Sequence, residues 1–238
     1  MSGGPYPKGK MSPKGTTTPV YINFAEVEGH DKDVLCMTIC ACKETPEIGK
    51  KGQSLRQMCV SKMLRNRDEL QGHQSEYKAE VNYDMTKAPP VPIMNYEIKT
   101  MAHEWLPGWI TKRWDADPDH PLWLPNKGYI RRPDVVIVKD PTKPPTQDNI
   151  KQVVEIKFDN DSWGVDQADD YETIAGEEKL VELTPKKCSC DDPDRKKTSD
   201  ELRNQEMMAG LLHTLGGISG RGGRPRGLRK KLPKLPKK

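Results

Sequence analysis

Asp134, Glu155 and Lys157 are the residues of this chain whose types and spacing best suit chemistry. Asp134 follows a proline and opens an apolar run, Val135–Val138. After a polar, proline-rich turn, a second apolar run starting at Val153 carries Glu155 and Lys157, two residues apart. Side chains alternate across a strand, so these two share a face. If the runs pair as a hairpin, Asp134 comes close to that face, and two carboxylates and a lysine converge. Magnesium prefers oxygen ligands, keeps several waters and takes one or two carboxylates from a protein. Such an ion polarises a phosphoryl oxygen and lowers the pKa of bound water, while a lysine beside it holds the water or stabilises charge developing on the phosphate. Glu-x-Lys alone is common, and an ordinary hairpin with a surface Glu–Lys pair is the bland alternative. The combination favours metal-dependent hydrolysis of a phosphodiester: Pro-Asp before one apolar run, 20 residues, then Glu-Ile-Lys within another.

Several elements must position these groups. Downstream, Gln167 and Tyr171 are four apart in DQADDYETIAG, residues 166–176, so a helix there puts both on one face; plain helix packing explains them almost as well. Lys179–Leu183 reads as a third strand. Upstream, residues 52–71 carry apolar positions at helical spacing, with Gly72 as a stop, and helical character is predicted to resume over 74–83. On that second helix Glu76 and Glu80 would share a face, and either would supply a further carboxylate, with Glu80 preferred and Asp84 and Glu97 behind it. Ser199, before Asp200 and Glu201, is predicted to cap a late helix.

The pattern Pro133-Asp134, 20 residues, Glu155-Ile156-Lys157 resembles the core of the PD-(D/E)xK nuclease superfamily. With Ser162, Trp163 and the Gln167-xxx-Tyr171 helix after it, the segment is similar to the VRR-NUC branch. The resemblance covers about residues 75–185. It implies an α/β, restriction-endonuclease-like core with a small central mixed sheet flanked by helices. It implies a magnesium or manganese ion held by Asp134, Glu155, the Ile156 carbonyl and Glu80, with Lys157 catalytic and Gln167 and Tyr171 supporting the site. The expected substrate is DNA, RNA not being excluded, with Arg131 and Arg132 on its phosphates.

The region before the core, from the cysteine cluster through residue 95, looks like that of nuclease toxins delivered by type VI secretion and paired with an immunity protein. The chain is therefore expected to be a secreted antibacterial effector acting in the target cytoplasm, with a small acidic partner that blocks its active face. A repair or phage nuclease, or a non-catalytic nucleic-acid-binding protein, is the alternative, with a cytoplasmic location.

Composition bounds these readings. With 34% hydrophobic and 31% charged residues, the core is modest and no stretch approaches a membrane span. Residues 1–20 form a basic arm without an apolar signal region, so export by the general secretory route is not expected. Residues 21–72 are a cysteine-containing segment with a strand-like piece at 20–27, residues 73–215 the nuclease domain, and 216–238 a basic tail. That tail holds nine Lys or Arg and no acid, and its Gly and Pro favour disorder and phosphate contacts without sequence preference. Six cysteines, at 36, 40, 42, 59, 188 and 190, leave three options open: a zinc site of unusual spacing, disulfides from the first cluster to Cys188 or Cys190, or free thiols. Four of the five tryptophans, at 105, 109, 114 and 123, lie among lysines and arginines. They would stack on bases or build a small core, and core is favoured for most.

Overall fold

The computed structural model describes residues 24–44, 46–50, 54–201 and 204–205. The arm at 1–20, the first half of the strand-like piece at 20–27 and the basic tail lie outside these residues; Phe24–Val27 take no regular structure.

A four-stranded mixed sheet organises the described residues. Its strands are β3 (Tyr77–Ala79), β7 (Val135–Val138), β8 (Ile150–Ile156) and β9 (Leu180–Leu183), in the order β3-β7-β8-β9. β3 and β8 run antiparallel to β7, and β9 runs parallel to β8. A parallel neighbour demands a crossover, and α4 (Gln167–Ala175) supplies it. The chain is thus α/β with a small mixed sheet flanked by helices.

All four residues of β7 are buried because helices cover both faces of the sheet. Val135 and Ile137 pack with Val154 and Ile156 against α1 (Gly29–Glu44) and α2 (Arg56–Leu70). Val136 and Val138 pack with Val153 against Ile174 and Tyr171 of α4. Each such aliphatic side chain contributes about 1.5–3 kcal/mol on burial. The two-residue strands β1 (Glu47–Ile48) and β2 (Ser54–Leu55) pair ahead of α2. Gly72, at φ +63°, closes α2 in a conformation that suits glycine.

Two predicted elements are corrected here. Residues 74–83 are not helical: they form β3 and the start of β4 (Tyr83–Asp84), which joins β5 (Val91–Pro92) and β6 (Ile130–Arg131) in a second sheet. All three β3 residues are buried, including Lys78, so the strand shows no polar–apolar alternation. Lys78 Nζ donates to Asp68 Oδ1 of α2 at 2.6 Å and to the His73 carbonyl at 2.8 Å, which is how a lysine is tolerated inside. Nor does Ser199 begin a helix. Residues 193–201 are helical, Pro193 stands in the first turn, and Asp192 Oδ1 accepts the amide N–H groups of Asp194 and Arg195. Ser199 sits within the helix and donates to the Arg195 carbonyl at 2.8 Å.

All six cysteines are joined, as Cys36–Cys188, Cys40–Cys190 and Cys42–Cys59. No thiolate remains for a zinc site. Cys36 and Cys40 are one turn apart on α1, which aligns them with the closely spaced pair that follows β9.

Candidate active site

β7 begins at Val135, so the Ile156 amide at the end of β8 has no β7 residue opposite it. The Asp134 carboxylate takes that place, with Oδ2 accepting the Ile156 N–H at 2.8 Å. Val135 pairs with Val154, which sets Asp134 beside Glu155 on the α4 face of the sheet. Burial, then the Glu155 charge, push the Asp134 carboxyl up to about 8.

Glu155 is buried and its two oxygens differ. Oε1 accepts Lys157 Nζ at 2.6 Å and Gln167 Nε2 at 2.8 Å. Oε2 is buried with no N–H donor, and its neighbour is the Asp134 carboxyl, which hydrogen-bonds Glu155 when protonated. Lys157 Nζ also reaches the Ser162 carbonyl at 3.2 Å and lies 4.7 Å from the centre of the Trp163 ring. Gln167 and Tyr171 do share one helical face: Gln167 Nε2 donates to the Tyr171 hydroxyl at 3.2 Å, and that hydroxyl donates to the Arg132 carbonyl at 2.9 Å. Burial and then Glu155 raise the Tyr171 phenol, in keeping with a neutral hydrogen-bonding role. The structure therefore brings Asp134, Glu155, Lys157, Gln167 and Tyr171 together.

Other predicted residues take different places. Glu80 follows β3 at φ +50° and donates its amide to the Asp134 carbonyl at 2.9 Å. Its carboxylate turns to arginines instead, Arg65 at 2.5 Å and Arg132 at 3.7 Å. Glu76 is exposed at the head of β3. Asp84 is buried against His120 at 2.6 Å and bonds Thr86, and Glu97 lies exposed in a turn. Arg131 is paired with Asp170 of α4, while Arg132 stands exposed beside Glu80.

Gln57 has no counterpart in the sequence reading. From the first turn of α2 its Nε2 donates to the Ile156 carbonyl at 3.1 Å. With Glu80, Phe158 and Asp161 it lines a cavity of about 360 Å³. Nothing local in the sequence marks it, because its role follows from where α2 docks.

Among the described residues no three His, Cys, Asp or Glu side chains are grouped to hold a metal ion. Two carboxylates and a backbone carbonyl suffice for a magnesium-type site, since water completes it. A buried Glu155 oxygen that no N–H donor reaches, next to the half-buried Asp134 carboxyl, is what a divalent cation would neutralise in place of the shared proton. The donor set fits such an ion, with Glu80 engaged elsewhere. In comparisons with known proteins, no family profile, curated protein or solved structure matches the chain. Among the described residues no helix is long and apolar enough to cross a membrane.

Proposed function

We propose that the chain is a metal-dependent nuclease of the PD-(D/E)xK kind, in its VRR-NUC branch. The observation that carries this reading is the close Asp134–Glu155 carboxyl pair, with a Glu155 oxygen that no N–H donor reaches and Lys157 alongside. Asp134, Glu155 and the Ile156 carbonyl would hold magnesium or manganese, which supplies Lewis-acid activation of the phosphodiester and a more acidic bound water. Lys157, held by Glu155 and the Ser162 carbonyl, is placed to orient the attacking water and to offset charge on the phosphoryl oxygens. Gln167 fixes the Glu155 carboxylate, and Tyr171 ties Gln167 to the strand end at Arg132. Gln57 sets the Ile156 carbonyl. Arg132 and Arg65, kept in place by Glu80, offer positive charge to the scissile phosphate. Water attacks phosphorus, the P–O bond to the leaving strand breaks, and the leaving oxygen takes up a proton.

The test is supercoiled plasmid with magnesium or manganese, with a chelator control and Lys157→Met beside the native chain. Metal-dependent nicking lost in the variant is the expected result. Intact plasmid, branched DNA and RNA under all conditions would refute the reading and leave a nucleic-acid-binding protein.

A toxin role, secreted by a specialised system with an immunity partner, extends this proposal. Three disulfides suit a chain that passes through an oxidising compartment. Expression in bacteria whose cytoplasm permits disulfide formation is expected to stop growth with the native chain and not with Lys157→Met. Normal growth with a native chain that is active in vitro would remove the toxin role and leave the nuclease.

A further inference from the structure

The tryptophan-rich segment divides into two parts with different surroundings. Trp114 is buried, stacks on His120 with centroids 4.2 Å apart and meets Trp123 edge-on at 4.9 Å. This part is a small satellite core. Trp105 is instead 64% exposed, and Tyr96 is 73% exposed. Both line a cavity of about 680 Å³ with Trp109, Lys99, Lys112 and Arg113, between the turn after β5 and the helical turns of α3 (Leu106–Trp109) and Ile110–Trp114. Core formation explains neither exposed ring.

The cavity wall combines flat apolar surface with organised positive charge. Lys99 Nζ lies 4.8 Å and Arg113 Cζ 5.2 Å from the Tyr96 ring centre, so one ring gathers two cations. Among the described residues Lys99, Lys112 and Arg113 have no carboxylate in ion-pair range. Asp84, at the edge of the cavity, is already engaged by His120 and Thr86. Trp105 lies against Gly108, where a Cβ would overlap its ring, so glycine there lets the indole approach the start of α3 closely. Aromatic faces with cations between them suit a nucleobase and its flanking phosphates. In a duplex the base faces are stacked and hidden, so these rings select an unpaired base.

Cavities that share wall residues run from this cleft toward the neighbourhood of the candidate active site. His103 lines both the cleft and a second cavity of about 530 Å³, whose walls carry Arg65 and Arg132 beside the carboxylates of Glu69, Glu80 and Glu104. Glu80 in turn lines the cavity that Gln57 shares next to the Ile156 carbonyl. We infer that the Tyr96–Trp105 cleft binds an unpaired base of a single-stranded nucleic acid and leads the strand past Arg65 and Arg132 to Asp134 and Glu155. Delivery to that site rests on the nuclease reading; the binding does not.

Two measurements on the full chain test the cleft. In chelator, the anisotropy of a fluorescein-labelled oligothymidylate reports affinity without cleavage. The Tyr96→Ala/Trp105→Ala double variant is expected to bind it about tenfold or more weakly, with duplex affinity nearly unchanged. Tyr96→Phe/Trp105→Phe should bind as the native chain does. Both rings are exposed, so an unchanged melting temperature is expected and separates lost stacking from lost folding. An oligonucleotide carrying 5-iodouracil should photo-cross-link to Tyr96, Trp105 or Trp109. Equal single-strand affinity in the alanine variant, an equal fall for duplex, or cross-links found only outside this cleft would overturn the inference. Cleft-dependent binding without any cleavage would retain the cleft and refute the nuclease. Cleavage of single strands unaltered by the alanine variant would retain the nuclease and refute delivery from the cleft.

Discussion

Asp134→Asn is expected to keep the protein folded, to leave it as stable or more stable in chelator, and to lower metal-dependent cleavage by about a thousandfold. The stability half follows from burial. Asparagine can still accept the Ile156 N–H that Asp134 now accepts at 2.8 Å, while removing a half-buried carboxylate beside the buried Glu155. The Asp134 carboxyl is raised from 3.8 to about 8. Between those values the folded state keeps a proton that the unfolded chain has released, so stability falls as pH rises through the window. The full cost is present above pH 8 and absent below pH 4, and the advantage of asparagine should grow with pH accordingly. The activity half follows from the same carboxylate. Losing one preorganised electrostatic group at a reacting centre commonly costs about 10²–10³ in rate. Metal supplies a third readout. At a hundredfold excess over Kd, a cation bound only to the folded state stabilises it by about 2.7 kcal/mol, and the variant should lose that melting shift. A variant that unfolds in chelator, or keeps both cleavage and the metal-induced shift, would contradict this role for Asp134. Opposite signs for stability and function are the mark of a strained site.

How much of this site was legible in the sequence depended on how local its causes were. β7, β8, α4 and β9 follow from runs of residues that announce themselves: a four-residue aliphatic strand, a second strand, a helix with Gln167 and Tyr171 on one face, and a closing apolar strand. The approach of Asp134 to Glu155 needed only antiparallel pairing, and the register Val135–Val154 provides it. β3 was illegible because Lys78 is a buried residue whose partner, Asp68, lies on another element. Without that partner the segment reads as an exposed helix, and Glu80 is misplaced with it. Gln57 and Arg65 act through the docking of α2, which no spacing within α2 encodes. Trp105 and Trp114 are the same residue type nine positions apart, and only tertiary packing makes one a wall of a cleft and the other a core. The cysteines illustrate the same limit, since six of them allow 15 pairings and geometry alone selects one.

Those disulfides carry the other large expected effect, and it should be strongly non-additive. Cys36–Cys188 and Cys40–Cys190 join residues 152 and 150 apart in sequence, whereas Cys42–Cys59 spans 17. If chain entropy dominates, closing a loop of that larger size stabilises by about 5 kcal/mol and the short one by about 3. The two long bridges interleave, however, with their ends four and two residues apart. Once either is closed, the other closes only a ring of a few residues, worth about 2 kcal/mol on the same scale. Cys36→Ala/Cys188→Ala and Cys40→Ala/Cys190→Ala should therefore each cost about 2 kcal/mol in urea denaturation, and all four replacements together about 7. That sum is comparable to the whole stability of an ordinary domain, so the quadruple variant should be largely unfolded. Single-pair losses near 5 kcal/mol, or additive ones, would show that the bridges act through native contacts rather than through the unfolded chain. The functional consequence runs through α2. Cys42–Cys59 ties α1 to the helix that presents Gln57 to the Ile156 carbonyl. All six cysteines are buried, so a reductant must wait for local opening. Cleavage activity in reductant should accordingly decay at the rate of that opening rather than at the rate of thiol exchange with an exposed bond.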